Sequence, residues 1–388
     1  MEGTYQYIST QDGLAELYTR MAHTDVYAID TEFIKVNTLY PRLGLLQINV
    51  DGHIYLLDGQ SLVLDDLWIL LFNARQNILH ACSEDIDLIH HYASQRALDN
   101  IFDTQIGLSF LDHGLQLSYQ QALLQELGLS IDKGETRSDW LARPLRPEQL
   151  HYAATDVLHL PELAATIKRQ LLERGTLEMA VEDCRTLARD IATDLPLAEL
   201  YQDVATFKHS RQQLAQLQQL CVWREQIARA TNQPRSFILK NAILLQLVEK
   251  QPINLYQLQR IPELRPAVIR EHGKTILDLL RYLPDTDQWP ARLPRPFRQR
   301  NQDLQDSIYI YVGQVAYELN IPAEVIFRKK WLQPLLLQVA IGGNEEKLPS
   351  ALLGWRYDLL TRPLLNGLSS HRDLLQIEMA PLPDMLVV

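Results

Sequence analysis

The 388-residue chain is 46% hydrophobic and 22% charged, a composition typical of a globular protein with two to four domains. No window approaches 18 apolar residues, and the first residues lack the basic and apolar segments of a secretory signal, so we expect neither membrane insertion nor export. Three widely spaced cysteines predict neither a disulfide framework nor a zinc site, and they fit a reduced, cytoplasmic location.

Charge is unevenly divided along the chain, although the net value of −11 argues against a general nucleic-acid coat protein. Residues 1–200 hold 14 basic and 30 acidic side chains, whereas residues 201–388 hold 23 basic and 18 acidic ones. Such asymmetry is a hint of nucleic-acid binding by the basic half, although acidic surfaces often only confer solubility.

In chain order, the first 170 residues alternate between strand-like and helical patterns. Asp51-Gly52 separates two strand-like runs and predicts a two-residue hairpin turn. This alternation predicts an α/β domain in which helices flank a mixed sheet. The predicted strands are Tyr5–Ser9, Val26–Phe33, Leu43–Val50, His53–Asp58, Asn77–Ala81 and Ile101–Thr104, and the predicted helices are Leu62–Ala74, Glu84–Tyr92, Leu117–Leu127 and Pro147–Arg174.

After residue 170 the pattern becomes helical. A stretch rich in proline and arginine predicts a linker. Its arginines are candidates for contact with a polyanion, or alternatively they only keep the linker soluble. These arginines are Arg292, Arg295, Arg298 and Arg300. We predict a connecting arm over 171–206, a helical domain over 207–288, the linker over 289–300 and a second, diverged helical domain over 301–388.

Four acids and one tyrosine stand in three short motifs with apolar flanks. Asp30 and Glu32 are two residues apart after an apolar run, so on a strand they point to one face. Tyr152 and Asp156 are four apart and are neighbours on a helix, while Asp85 follows another strand-like run. One acid pair alone would be a solvated edge, but three such motifs favour a metal site. Hard oxygen ligands suit Mg²⁺ or Mn²⁺.

Residues 26–160 resemble the ribonuclease D family, which belongs to the exonuclease superfamily named for its acids, Asp-Glu-Asp-Asp. The resemblance rests on the motifs AIDTEF, YPRLGLLQI, HACSEDIDLI, TRSDWLARPL and YAATDVLHL. It implies a ribonuclease H-like fold in which Asp30, Glu32, Asp85 and Asp156 hold two divalent metal ions, with Asp30 bridging both. The family's tyrosine that matches Tyr152 positions the attacking water.

A sister group of this superfamily uses a histidine five residues before the last acid, and His151 stands at that position. Pro147 indicates the first turn of a helix that includes both candidates. At about 100° per residue, Tyr152 is offset by roughly 40° from Asp156 and His151 by roughly 140°. Helical phase therefore favours the tyrosine.

Five residues near the acids are candidates for contact with RNA, and most have a structural alternative. Phe33 follows the acid pair and would stack on the terminal base or belong to the core. Gln47 would either satisfy a backbone group or touch RNA. Lys133, Arg137 and Trp140 form a basic and aromatic segment suited to phosphate and base contacts, although Trp140 also suits a local packing anchor.

The helical part of the chain resembles the HRDC domain, a small bundle found in helicases and in ribonuclease D, which carries two copies. The marks in the first copy are Trp223-Arg224, Pro234, Phe237, Pro252, Leu264 and His272-Gly273. In the diverged second copy they are Trp331, Pro334, Ile341-Gly342-Gly343, Leu348-Pro349 and Trp355-Arg356.

These observations predict a metal-dependent 3′–5′ exoribonuclease that releases nucleoside 5′-monophosphates. The resemblance implies action on tRNA precursors or other structured RNA 3′ ends, and we expect no obligate protein partner. Two alternatives stay open: a 3′–5′ DNA exonuclease, and a catalytically silent RNA-binding scaffold. Motifs of ATPases, zinc proteases, serine hydrolases and zinc fingers do not occur in the sequence.

Overall fold

The computed structural model describes residues 4–93, 96–131, 134, 138–298, 302–342 and 345–383. Lys133, Arg137 and Arg300, which were predicted to contact RNA, lie outside these residues. In the part of the chain that the structure describes, six strands form one sheet. Numbered in chain order, the strands are β1 Tyr5–Ile8, β2 Val26–Ile34, β3 Arg42–Val50, β4 His53–Asp58, β5 Gln76–Leu79 and β6 Ile101–Asp103.

The sheet has the order β1-β4-β3-β2-β5-β6 and mixes both strand directions. β3 runs antiparallel to β2 and β4, whereas β1 and β4, β2 and β5, and β5 and β6 pair in parallel. The predicted mixed sheet is confirmed. So is the turn between β3 and β4, where Asp51 and Gly52 take positive φ values of 52° and 81°, as a type I′ hairpin requires.

Helices cover both faces of this sheet. One face packs against α1 (Leu14–Met21), α2 (Asp65–Asn73), α3 (Ser83–Tyr92) and α8 (Leu177–Ala192). The other face packs against α6 (Pro147–Leu158) and α7 (Leu160–Glu173), as the buried side chains of each layer show. The predicted single helix over Pro147–Arg174 is wrong, because the helix breaks at His159. Pro161 explains the break, since it lacks a donor and its ring clashes with a helical carbonyl. The helices of this domain and its arm are α1 Leu14–Met21, α2 Asp65–Asn73, α3 Ser83–Tyr92, α4 Thr104–Ser109, α5 Tyr119–Leu127, α6 Pro147–Leu158, α7 Leu160–Glu173 and α8 Leu177–Ala192.

The rest of the described chain is helical. The segment from α9 (Arg211–Thr231) to α13 (Pro266–Arg281) packs around a core of its own, which includes Leu217, Leu244 and Ile276. The last segment instead shares a continuous core with the sheet domain, where Phe110 lies beside Trp355 with ring centroids 6.1 Å apart. These helices are α9 Arg211–Thr231, α10 Arg235–Ile238, α11 Asn241–Lys250, α12 Leu255–Leu258, α13 Pro266–Arg281, α14 Gln302–Leu319, α15 Ala323–Ile326, α16 Leu332–Ile341, α17 Arg362–Gly367 and α18 Arg372–Met379.

Each helical segment is anchored to the sheet domain. The main-chain N–H of Tyr40, in the loop after β2, donates to Asn232 Oδ1 at 3.1 Å at the end of α9. Arg356 is 2% exposed and donates two hydrogen bonds of 2.6 Å to Asp183 on α8. Among the described residues, no helix has both the length and the apolar character needed to cross a bilayer.

The linker between the helical segments is held by its arginines. Arg292 donates to the carbonyls of Lys208 and His209, both at 3.2 Å. Arg295 donates to the carbonyls of Ile377 and Ala380 at the end of α18, where helix carbonyls lack intrahelical partners. The two side chains predicted to grip RNA thus serve to join the helical segments, whereas Arg298 is exposed.

Candidate active site

Three of the predicted acids meet where α6 crosses the central strand. Ala153 and Ala154 of α6 are buried against the sheet, and their small side chains let the helix approach the sheet closely. Ligand atoms of Asp30, Glu32 and Asp156 all lie within 4.8 Å of one another. The sheet and the helix therefore bring together acids that are more than 120 residues apart in sequence.

The fourth acid, Asp85, enters from the first turn of α3. It is 8% exposed and accepts a hydrogen bond from the Thr31 hydroxyl, which holds it beside β2. The turn before α3 contains Ala81 at a positive φ of 57°. The buried carboxylate of Asp103 accepts the main-chain N–H groups of Ala81 and Cys82, both at 3.0 Å, and so fixes this turn.

The four acids line one cleft of about 360 Å³ together with Tyr152 and Phe33. His151 does not line the cleft, and its side chain is exposed. This is the difference that helical phase predicts for α6. Tyr152, and not His151, therefore faces the space between the acids.

Crowding of carboxylates controls the electrostatics of the cleft. Burial, followed by the charges of Asp85, Asp156 and Glu32, raises the pKa of Asp30 well above its ordinary value. Burial and the charges of Asp156 and Asp85 raise the pKa of Glu32 to about 9. Burial raises the pKa of Asp156 to about 7 and that of Asp85 to about 6. Without a cation, the cluster therefore resists full ionisation.

Tyr152 is placed by contacts on several sides. Its hydroxyl is hydrogen-bonded to Asp156, and its ring lies 6.2 Å from that of Trp140. A Cβ atom at Gly134 would lie 1.8 Å from the Tyr152 ring, so only glycine allows the backbone to approach this closely. Burial and the charges of Asp156, Glu32 and Asp30 raise the Tyr152 pKa above its ordinary value, so the hydroxyl keeps its proton.

The structure corrects two of the predicted RNA contacts. Gln47 is fully buried, and Trp140 is 2% exposed, so neither side chain touches a ligand in solution. Trp140 packs instead against Leu45 and against Gly44, where a Cβ atom would lie 2.6 Å from the Trp140 carbonyl. Trp140 is thus the local packing anchor, and of these candidates Phe33 lines the cleft.

Other residues of the cleft were not assigned from the sequence. Tyr119 lines it beside His80, with ring centroids 5.5 Å apart. The His80 ring nitrogens lie 2.8 Å from Thr104 Oγ1 and 3.0 Å from the Leu117 carbonyl oxygen, and burial lowers the His80 pKa. No spacing rule links Tyr119 to the acids, because tertiary packing places it there: α5 packs on α4 and α7, and the Tyr119 hydroxyl donates to the Thr155 carbonyl of α6 at 3.5 Å.

The donor set fits divalent cations. It consists of carboxylate oxygens alone, three of which converge within 4.8 Å, and their pKa values are raised by burial and by mutual repulsion, which a cation would offset. Such an acid cluster on the central strand of a mixed sheet defines a class, the metal-dependent hydrolases of phosphate esters.

Comparison with known proteins narrows this class. Residues 5–172 match the family model for a 3′-5′ exonuclease, and residues 213–280 match that of the HRDC domain. Ribonuclease D of Pseudomonas paraeruginosa is 33% identical over 94% of this chain and 98% of its own length. Ribonuclease D of Escherichia coli strain K12 is 29% identical over 95% of this chain and 99% of its own length.

A solved structure agrees with the sequence comparisons. The crystal structure of Escherichia coli RNase D, described as an exoribonuclease involved in structured RNA processing, superposes with a TM-score of 0.86 at 28% identity. The match covers 95% of this chain and 99% of that one. The chain therefore belongs to the ribonuclease D family of 3′–5′ exoribonucleases. The predicted fold is confirmed: a mixed sheet with flanking helices is followed by a helical region that includes an HRDC domain over residues 213–280.

Proposed function

We propose that the chain shortens RNA one nucleotide at a time from the 3′ end, with two divalent ions, Mg²⁺ or Mn²⁺, held by its four cleft acids. The observation that carries this proposal is the convergence of Asp30, Glu32 and Asp156 within 4.8 Å, beside Asp85 in the same cleft. When bound, such ions lower the pKa of a coordinated water and offset charge on the phosphate.

Asp30 is the acid best placed to serve both ions. Its carboxylate lies within 4.8 Å of those of Glu32 and Asp156, and the charges of Asp85, Asp156 and Glu32 all act on it. Glu32 and Asp156 would serve the ion on the side of the attacking water. Asp85, held by Thr31, would serve the side of the leaving oxygen.

Tyr152 orients the attacking water by a hydrogen bond and does not take its proton. Its raised pKa keeps the phenol protonated, so it cannot accept the proton of the water, and its hydroxyl is hydrogen-bonded to Asp156. The water loses a proton to solvent as its oxygen bonds to phosphorus, the bond from phosphorus to the 3′ oxygen breaks, that oxygen takes up a proton from solvent, and a nucleoside 5′-monophosphate leaves. The shortened RNA keeps a 3′ hydroxyl. Phe33, which lines the cleft, packs against the terminal nucleotide.

We infer that structured RNA, such as tRNA precursors, is the physiological substrate class. Support comes from the Escherichia coli relative, which is described as acting in structured RNA processing, and from the HRDC domain over residues 213–280. We further propose that residues 301–388 form a second, diverged HRDC-like domain.

We also propose a cytoplasmic location. The three cysteines are unpaired and buried, which fits that location.

The test is incubation of the full chain with matched single-stranded RNA and DNA oligomers that carry a 5′ label, with Mn²⁺ or with a chelator. The proposal expects stepwise shortening of RNA with Mn²⁺ and none with chelator. Preferential shortening of DNA would favour the DNA exonuclease. Binding of RNA without any shortening would favour the silent scaffold.

A further inference from the structure

Gln47 is a buried amide whose polar atoms have no partner among the described residues. The side chain is 0% exposed, and neither Nε2 nor Oε1 forms a hydrogen bond. Leaving such groups unsatisfied costs about 1–3 kcal/mol each, whereas an apolar side chain of the same shape carries no such cost. Packing alone therefore does not explain why a glutamine, and not an apolar residue, occupies position 47.

The pairing of β2 with β3 places this amide next to the acid cluster. Gln47 lies directly opposite Asp30 in the antiparallel register, so both side chains stand on the same face of the sheet. Directly opposed Cβ atoms lie about 5 Å apart, within reach of a glutamine amide. Gln47 does not line the cleft, which puts it in the layer behind the acids.

Asn49 provides an internal comparison on the same face, two residues along β3. Its Nδ2 donates to the Val157 carbonyl at 2.9 Å, and its Oδ1 accepts the Gly52 N–H at 2.9 Å. The amide of Asn49 thus ties α6 and the hairpin to the sheet. The amide of Gln47 has no such structural task, although it is equally enclosed.

We propose that Gln47 is a positioning residue for Asp30, whose amide N–H donates to the Asp30 carboxylate when that carboxylate binds divalent cations. The inference rests on the proposed function, because it takes Asp30 as a metal ligand. Ligating carboxylates depend on hydrogen bonds from residues behind them, which orient them, and loss of such a partner typically costs about 10–100-fold in metal affinity or activity. Gln47 offers the donor on the side of Asp30 that faces away from solvent.

The experiment measures Mn²⁺ binding to the full-length protein without RNA, by calorimetry, for Gln47→Met, with Gln47→Leu as a second variant should Met fail to pack. The proposal expects the Kd for Mn²⁺ to rise about 10–100-fold. It also expects an unchanged or higher Tm, since the unsatisfied amide is gone. A role in packing alone would lower Tm and leave the Kd unchanged.

Two controls separate the possible failures. Asn77→Leu, at a buried amide of β5, should lower Tm but leave the Kd for Mn²⁺ near the wild-type value, because its partners Leu71 and Asn100 lie away from the acids. Asp30→Asn should abolish or strongly weaken Mn²⁺ binding. If Asp30→Asn has no effect, the proposed metal site is wrong. If Asp30→Asn weakens binding but both Gln47 variants bind Mn²⁺ normally, only the inference about Gln47 is overturned.

Discussion

Tyr152 and His151 are adjacent in the chain, but α6 turns them to different surroundings. Tyr152 lines the cleft between the acids, and His151 is exposed to solvent. The difference follows from helical phase alone, which is why the sequence was sufficient to prefer the tyrosine. The role of Tyr152 in orienting water remains a prediction that kinetics can test.

Tyr152→Phe keeps the ring that packs on Trp140 and removes only the hydroxyl. We expect the single-turnover rate to fall by about 10²-fold, since small misplacements of reacting groups cost that much. Mn²⁺ binding should stay near normal, because the carboxylates are untouched. His151→Ala is the matched control and should leave the rate nearly unchanged. The opposite ranking of the two variants would place the chain in the histidine-using group.

Several contacts around the cleft were beyond reach of sequence reasoning, although packing was one of the alternatives for Trp140. Gln47 and Trp140 stand in motifs beside the acids, but their burial depends on how α6 and the loop before it cover the sheet. Asp103 and Thr31 act through hydrogen bonds to a turn and to Asp85, across 21 to 54 positions of sequence. No periodicity encodes such partners, because they are set by tertiary packing.

At the scale of the elements, local chemistry predicted all six described strands and the hairpin. Strand ends differ from the prediction by one or two residues, as at β5, where pairing with β6 stops at Leu79. The positive φ values at Asp51 and Gly52 follow directly from the residues at that turn. The short helices α1 and α4 were not predicted, and the effect of Pro161 on the long helix was overlooked.

The ion pair of Asp58 and Arg143 ties the loop before α6 to the sheet. Arg143 donates to Asp58 at 2.6 and 2.8 Å and to the Trp140 carbonyl at 2.9 Å. Burial alone would raise the Asp58 pKa, but hydrogen bonds from Arg143 and Tyr7 lower it to about 2. The loop that carries Trp140, whose ring lies beside that of Tyr152, is thus held by a charge pair with a buried carboxylate.

This pair predicts an acid-dependent loss of stability. Because the folded-state pKa lies below the ordinary value of about 3.9, the contribution of Asp58 is present above that pH and is lost as pH falls towards 2. We expect Asp58→Asn to lower the free energy of unfolding at neutral pH by about 3 kcal/mol and to flatten its decline below pH 4, as measured by urea titration. Asp25→Asn, which breaks the exposed pair with Arg75, should cost less than about 1 kcal/mol. Equal effects of the two variants would contradict the assignment.

At the scale of the whole molecule, the helical segments are attached to the sheet domain at several points. The linker arginines join the segments to each other, and Arg356 with Asp183 joins the last segment to α8. The shared core of the last segment and the sheet domain was not predictable, because it depends on contacts between residues more than 200 positions apart. Charge asymmetry predicted a role for the basic half in RNA binding. It did not predict which of the basic side chains are exposed and available for contact with RNA.

Arg298 is the linker arginine whose described side chain is exposed, and it offers a test of RNA binding by the basic half. On single strands, each phosphate contact contributes about −0.7 to the slope of log affinity against log salt. We expect Arg298→Ala to make that slope shallower by about this amount, measured by fluorescence anisotropy with a labelled structured RNA. Arg75→Ala, at an exposed position just before β5, should leave the slope unchanged. Identical slopes for wild type and Arg298→Ala would mean that this arginine only solubilises the linker.

We propose that hydrolysis depends on cations held by the acids of one cleft, where the charges of the other three acids act on Asp30. The most direct measurement is the single-turnover rate of RNA shortening by Asp30→Asn, a change that removes a charge and nearly preserves shape. The account predicts a loss of several orders of magnitude, since metal-assisted stabilisation supplies several kcal/mol and each 1.36 kcal/mol is tenfold in rate. Circular dichroism should show an intact fold. A near-normal rate in the folded variant at saturating Mn²⁺ would contradict the account.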